Sequence, residues 1–522
     1  MTNITATAAQ EKIVPFYAHK KSFFDGSAKN EVRYAALLSD HMTSSELFVN
    51  QDVIHQEFDD LSAVLDTMNV DENTEQFFYF SLYCCYLLEK YHAACGDFYK
   101  TQHYKQKAQA LIDKLNRVEN VQNVEQRKQF LAALSQTFQD TWDEAKQSVL
   151  NPGKFAQTIG YINLSRIVLV LSRLSLSQVF VVLEENKILE KLGKLLNRNI
   201  TSAEIIAKMG TVSGLFNALS VIMFGSRLVR NLAATFYFTF CPTEEAKKAL
   251  PDVLSRLYHQ LYQKKGALLN DSVWVVINGV TNYQLFGMSA FASMGITAGF
   301  MFFDVAVLLY LKYCDEQVYI KKQQQYDQEI KALLDSLSAQ SLSEVEKNSL
   351  LMQLKVLEKQ KMYNQINWRQ TAAVYNFQTL AALMLGTGFS FSILVASPIV
   401  VIACYSICLV AVSMILAGND YGKLQAIKGK IEHADALELD KAVLEKEYQQ
   451  ARQDLVKNLV KNTVVPSILI GTFLVCWEAA LVLTVSYLVV EGFKYYQQHI
   501  AANLVEEADK DVTFKAQKPG FA

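Results

Sequence analysis

Two carboxylates, Asp304 and Glu478, stand inside stretches that carry no other charge: residues 273–311 around the first and 463–490 around the second. A carboxyl group buried in an apolar medium resists ionisation, which makes its protonation usable for proton or cation transfer. The competing reading is neutralisation by a buried cation, and Arg166, Arg173, Arg227 and Arg230 are the candidate intramembrane partners. Neither charge would be stable there alone. Pairing is the commoner outcome. Glu478 is the stronger functional candidate, because Asp304 stands close to Lys312, the first charge after its run.

Other chemistry finds little support. The chain has no HExxH, GxSxG, P-loop or GxGxxG pattern, so no catalytic residue and no cofactor-binding residue is assigned. Asp52 with His55, and Glu89 with His92, show the acid-x-x-His spacing that helical di-iron sites place on one face. With 52 acids and 8 histidines in 522 residues, such pairs arise by chance, and no metal site is expected. Lys and Arg number 50 and the net charge is −2, so no global field points to nucleic acid. The 8 cysteines have no regular spacing and read as small apolar residues rather than a disulfide framework.

The elements that would position these groups are long helices. Only 7 prolines and 21 glycines interrupt the chain, which argues for an all-α fold. Residues 371–418 contain no Asp, Glu, Lys, Arg or His. At about 1.5 Å per residue one helix of that length would be more than twice the ~30 Å hydrocarbon core. Ala396, Ser397 and Pro398 near its middle predict a turn, hence a transmembrane hairpin. Residues 273–311 suit a second, tighter hairpin, and 463–490 a single tilted span. Within 156–312, residues 209–240 read as a shallow hairpin turning at Gly225 and Ser226. Five strong spans result, with one to three more before residue 242. The first 25 residues hold no apolar core of signal-peptide length, so insertion is expected to use internal segments.

Two charged, heptad-like segments alternate with the hairpins. Residues 313–370 place Ile330, Leu333 and Leu337, then a break with a Ser341/Glu344 capping box, then Leu350, Leu354 and Leu357. Residues 419–462 place Leu424, Ile427 and Ile431, a break at 433–436, then Leu444, Tyr448, Ala451, Leu455 and Leu459. Residues 1–155 form a soluble helical domain, with Val53, Ile54, Phe58, Leu61, Val64 and Leu65 on one helical stripe. Residues 491–522 form a polar tail. Glutamine-rich pieces such as Gln323 to Gln325 read as solvated helix faces.

If each hairpin returns to the side it left, Lys264, Lys265, Lys312, Lys321, Lys322, Arg369, Lys423, Lys457 and Lys461 share one face. The positive-inside rule makes that face cytosolic, with Trp274, Tyr310, Tyr313 and Trp368 as an aromatic belt. Small residues at Gly295 and Gly299, at Ala382, Gly386 and Ser390, and at Ser467 and Gly471 read as helix-packing ridges.

In organisation the chain resembles multi-pass membrane effectors that intracellular bacteria deliver by type IV secretion. The shared features are the long polar helical N-terminus, late and moderately apolar spans, coiled-coil-like inserts and a tail with Glu506, Glu507, Asp509 and Asp511 before Val512 and Phe514. The resemblance implies a host organelle or vacuole membrane and supplies no catalytic residue. The expectation is an all-α, multi-pass integral membrane protein with long cytosolic helical hairpins, non-enzymatic, binding partners or shaping the membrane. Its partners would be the lipid bilayer and proteins held by the hairpins, with oligomerisation allowed and no nucleic acid. A transporter or channel using Glu478 and Asp304 is the alternative.

Overall fold

The computed structural model describes residues 16–24, 44–71, 74–95, 97–116, 221–222, 224–282, 289–338, 342–395 and 398–475. These are helical, with no strand among the described residues. In chain order the helices are α1 (16–24), α2 (Ser44–Leu65), α3 (Glu75–Ala94), α4 (Phe98–Asn116) and α5 (224–240). Short helices α6 (Glu244–Ala249) and α7 (Val253–Gln263) lead into α8 (Lys265–Asn282). Then come α9 (Ala290–Leu337), α10 (Glu344–Leu394), α11 (Pro398–Leu416), α12 (Gly418–Glu432), α13 (Ala434–Leu437) and α14 (Lys441–Val475).

The frame is the pair α9 and α10, 48 and 51 residues long, which pack against each other. Each is apolar at one end and polar at the other, and neither contains a proline. With no residue to break the hydrogen-bond ladder, one continuous helix serves both environments. Ser289 caps α9 by accepting the Ala292 N–H at 3.2 Å. At α10 a full capping box forms between Ser343 and Glu346: the Ser343 hydroxyl accepts the Glu346 N–H at 3.3 Å, and the Glu346 carboxylate accepts the Ser343 N–H at 3.0 Å. The box expected at Ser341 and Glu344 thus lies two residues further on. In the frame used, Glu344 and Glu346 both fall in the first turn, where the helix dipole favours acids.

Two helices, Phe291–Leu337 and Glu344–Leu394, are long and apolar enough to cross a membrane, or three if Ser406–Leu416 and Gly418–Glu432, bent by 57°, form one span. The five spans read from the sequence are represented to that extent among the described residues, and α14 is described only to Val475. Where a turn is expected at 396–398 the helix breaks: α10 stops at Leu394 and α11 opens on Pro398, while Ala396 and Ser397 lie outside the described residues. Proline suits a first turn, where no N–H is needed.

Of the small residues expected at helix contacts, Gly386 lies at one, and a further close approach joins α10 to α11. Gly295 and Gly299 meet nothing, and Gly386 faces Phe302 of α9. The close approach is at Gly388, where an added Cβ would stand 2.8 Å from the Cys408 sulfur and 3.1 Å from the Cys404 carbonyl oxygen. Gly388→Ala is therefore expected to destabilise the hairpin by about 1–3 kcal/mol through overpacking, read as a lower unfolding midpoint of the protein in detergent. Gly295→Ala is the matched control and should leave that midpoint unchanged.

The second polar hairpin follows its sequence pattern. Leu424, Ile427, Ala451 and Leu455 form its core, with Tyr421, Ile431, Tyr448 and Leu459 packed around it. The chain turns through His433, α13 and Glu438, the last with a φ of 58°. Before α9, two departures occur. Residues 224–240 form one helix, so the chain does not turn at Gly225 and Ser226. A glycine costs only about 1 kcal/mol in a helix, and here the Arg227 side chain holds α5 against α8 by bonding Asp271. Trp274, expected in an aromatic belt, is 3% exposed and packs on Phe224.

The N-terminal helices α1–α4, called the head below, do not bury their core alone. Phe16, Ile54, Phe58, Leu61, Phe78, Phe80 and Leu88 share one continuous apolar cluster with Val356, Tyr363 and Ile366 of α10. The polar halves of α9 and α10 are thus a stalk on which the head is seated.

Candidate functional site

Where the head meets the stalk, charged side chains are buried in numbers that a structural core does not require. Glu57 of α2, fully buried, receives Lys322 of α9 at 2.6 Å and Lys20 of α1 at 2.9 Å. Gln360 of α10 donates to the same carboxylate at 2.9 Å. Lys20 also reaches Glu329 of α9 at 2.7 Å. Gln325 links the two ends by accepting the Tyr17 hydroxyl and donating to Glu329.

One turn along α2, Asp60 is 1% exposed and accepts three bonds from the stalk. They come from the Tyr326 hydroxyl at 2.8 Å, Asn364 at 2.9 Å and Asn367 at 3.1 Å. The Lys322 ammonium lies over the Tyr326 ring, 4.8 Å from its centroid. Every layer of the joint contributes: α1 and α2 from the head, α9 and α10 from the stalk.

The electrostatics follow from burial. Desolvation alone would raise Glu57, but Lys20 and Lys322 more than reverse it and hold the carboxyl down at about 2. For Lys20 burial pulls downward, and Glu329 and Glu57 overcome it, so the amine stays charged. Asp60 ends the other way: burial pushes it up to about 7, against Lys322 and the Tyr326 and Asn364 hydrogen bonds. With Asp60 protonated, two ammonium groups face two carboxylates, and the cluster is neutral. Once Asp60 ionises, it carries a net negative charge in a medium that screens poorly.

A second polar constellation lies within the head. The acid-x-x-His pairs on α2 and α3 do converge, but through their histidines. His55 Nε2 and His92 Nε2 are 2.9 Å apart, and the Tyr104 hydroxyl is 2.7 Å from His55 Nδ1. His92 Nδ1 faces Asp97 at 3.9 Å. One assignment of protons satisfies the chain: Tyr104 donates to His55 Nδ1, His55 Nε2–H donates to His92 Nε2, and His92 Nδ1–H points to Asp97. Burial, reinforced by Lys100, keeps both imidazoles neutral, His55 down at about 4 and His92 at about 2. Among the described residues no three metal-capable side chains come together. Glu89 is buried with neither carboxylate oxygen hydrogen-bonded among the described residues, and burial lifts it to about 8.

The charges singled out in the sequence are placed differently. Arg227 pairs with Asp271 of α8, which is fully buried. Asp304 of α9 is bonded to the Trp274 side chain of α8. Arg230 is half-buried beside Lys264. Glu478, Arg166 and Arg173 lie outside the described residues.

The joint was not found in the sequence, although a signal exists. The stripe that begins at Ile330 and Leu333 continues upstream, at helical spacing, through Tyr326 and Lys322 and through Glu329 and Gln325. Gln325, read as solvated, is buried for this reason. On α2, Glu57 and Asp60 lie one turn before Leu61 and Val64 of the apolar stripe. Polar residues that extend an apolar stripe on two separate helices mark a buried polar contact. No protein-family description, no curated protein and no solved structure was found to match the chain.

Proposed function

We propose that this is a non-enzymatic, multi-pass membrane protein in which helices α9 and α10 leave the bilayer as a stalk that presents the head and the second polar hairpin on the cytosolic face, for partner binding or membrane remodelling. One observation carries the reading: the two helices apolar enough to span are the same unbroken helices whose polar halves hold the head through Glu57 and Asp60. A buried joint of this kind fixes the head's orientation relative to the spans. An enzyme would need convergent reactive groups open to a substrate, whereas Glu57, Asp60, Lys322 and Tyr326 are closed in and engaged with one another. Delivery into a host-cell membrane, as the resemblance to secreted effectors implies, belongs to the same proposal.

The transporter or channel reading keeps one supporting observation, a carboxyl group at Asp304 inside a candidate span, bonded to the indole of Trp274. A single reconstitution separates the two. The full chain, after alkaline carbonate extraction, is floated with liposomes, and proton and cation flux is recorded for wild type and Asp304→Asn. Flotation with both proteins at leak level is the expected result. Recovery in the soluble fraction removes the membrane reading, and flux that Asp304→Asn abolishes replaces the scaffold with a transporter.

A further inference from the structure

Helix α7 is amphipathic in the reverse sense. Its polar side faces the protein: Arg256 and Gln260 are buried, while Leu254 and Tyr258 are 77% and 71% exposed. Leu261 and Tyr262 are exposed on the same side. The inward contacts are specific. The Arg256 guanidinium donates to the carbonyls of Thr239, Leu250 and Pro251 at 3.0, 2.7 and 2.8 Å. His259 lies 3.0 Å from the Tyr91 hydroxyl of the head. A helix with water on its outer face arranges these residue types the other way round. Phe236 and Phe240 of α5 are also exposed and stack on each other, so the outward apolar surface extends beyond α7.

The height of α7 along the molecule is fixed by its C-terminal end. Lys265 lies over the Tyr262 ring at 4.0 Å and faces Cys314 and Tyr310 of α9. A Cβ at Gly266 would touch Leu311 at 3.8 Å. Lys312 and Asp315, immediately beyond on α9, bond Asn376 and Tyr375 of α10 at 2.9 and 2.7 Å. So α7 ends where the apolar part of α9, whose one charge is Asp304, gives way to the charged residues that begin at Lys312, which is where a bilayer surface would cross the stalk.

We propose that α7 is an interfacial helix lying in the bilayer surface, with Leu254, Tyr258, Leu261 and Tyr262 among the lipid chains and Lys264 and Lys265 at anionic headgroups. Leucine and tyrosine on one face with lysines at its edge are the composition such helices use. The proposal rests on the membrane reading above. It gives the head a second footing, since the polar side of α7 holds Tyr91 while its apolar side holds lipid. The occupant is lipid rather than a protein groove, because the residues that end α7, Lys265 and Gly266, lie against Tyr310 and Leu311 at the edge of the candidate span of α9.

The test uses the full chain in liposomes of phosphatidylcholine and phosphatidylserine, with accessible cysteines replaced by serine and one spin label per protein. Labels are placed at Tyr258→Cys and Leu254→Cys, with Leu380→Cys in the α10 span and Glu358→Cys on the stalk as lipid and water references. At both α7 positions collision with oxygen should exceed collision with a water-soluble nickel chelate several-fold relative to Glu358→Cys. Nickel access at α7 as high as at Glu358→Cys, with Leu380→Cys still oxygen-favoured, overturns the interfacial helix and leaves the membrane reading intact. Exclusion of both reagents at α7 overturns it in favour of a protein partner. Nickel access at Leu380→Cys removes the membrane reading itself.

Discussion

Replacing Glu57 with alanine is expected to destabilise the head by about 3–5 kcal/mol, the effect of leaving buried charges without their partner. Lys20 and Lys322 would both keep their ammonium groups in a site where Glu57 is completely buried. Lys20 retains Glu329, but Lys322 loses its carboxylate. The check is thermal unfolding of the full chain in detergent together with limited proteolysis of the head. Adding Lys322→Met to Glu57→Leu should recover most of the loss, because an apolar pair of similar volume replaces the ion pair without a stranded charge. A change below 1 kcal/mol for Glu57→Ala, or no recovery in the double variant, would mean that the ion pair does not hold the joint.

Raising the pH is expected to loosen the same joint, through Asp60. Its folded value of about 7 lies above the ordinary 3.8, so the folded protein keeps a proton that the unfolded chain has released. Stability from this group is therefore intact below about pH 4, falls as pH rises toward 7 and is level beyond. Glu57 has the opposite sign: held at about 2 against an ordinary 4.5, it stabilises above 4.5 and loses that contribution as pH falls through 2. Glu89, lifted to about 8, adds to the Asp60 trend up to that pH. His55 and His92, held at about 4 and about 2 against an ordinary 6.5, act the other way below pH 6.5, so the loss due to the two carboxyls stands alone between about pH 6.5 and 8. Asp60→Asn should remove the Asp60 share of this slope and leave that of Glu89, since the amide has no proton to lose, while changing stability at pH 7.5 by about 1 kcal/mol for one altered hydrogen bond. A slope that survives Asp60→Asn unchanged would assign it to other groups.

Much of the frame was legible because it depends on local pattern. The break before Pro398, the break after His433 and the core of the second hairpin follow from proline placement and apolar spacing, and these act over a few residues. The candidate charges were legible as types but not as partners. Arg227 bonds Asp271, forty-odd positions along a different helix and outside the apolar runs, and no spacing rule reaches that far. The head–stalk joint was hidden for a related reason. Lys322, Gln325 and Glu329 look like surface residues when their helix is read alone, and only the apposition of α2 makes them interior. The Ser343 cap was missed by two residues, because Ser341 and Ser343 each precede a glutamate at the right spacing.

The rigid seating of the head on the candidate membrane-spanning helices is tested most directly by one distance. Spin labels at Gln109→Cys on α4 and Lys331→Cys on α9, both exposed positions, are measured by pulsed dipolar spectroscopy in the full chain after carbonate-washed reconstitution in liposomes. A single narrow distribution that broadens on adding Glu57→Ala is the expected result. A broad distribution in the otherwise wild-type protein, or a narrow one that Glu57→Ala leaves untouched, would contradict the coupling of head and spans through the buried joint.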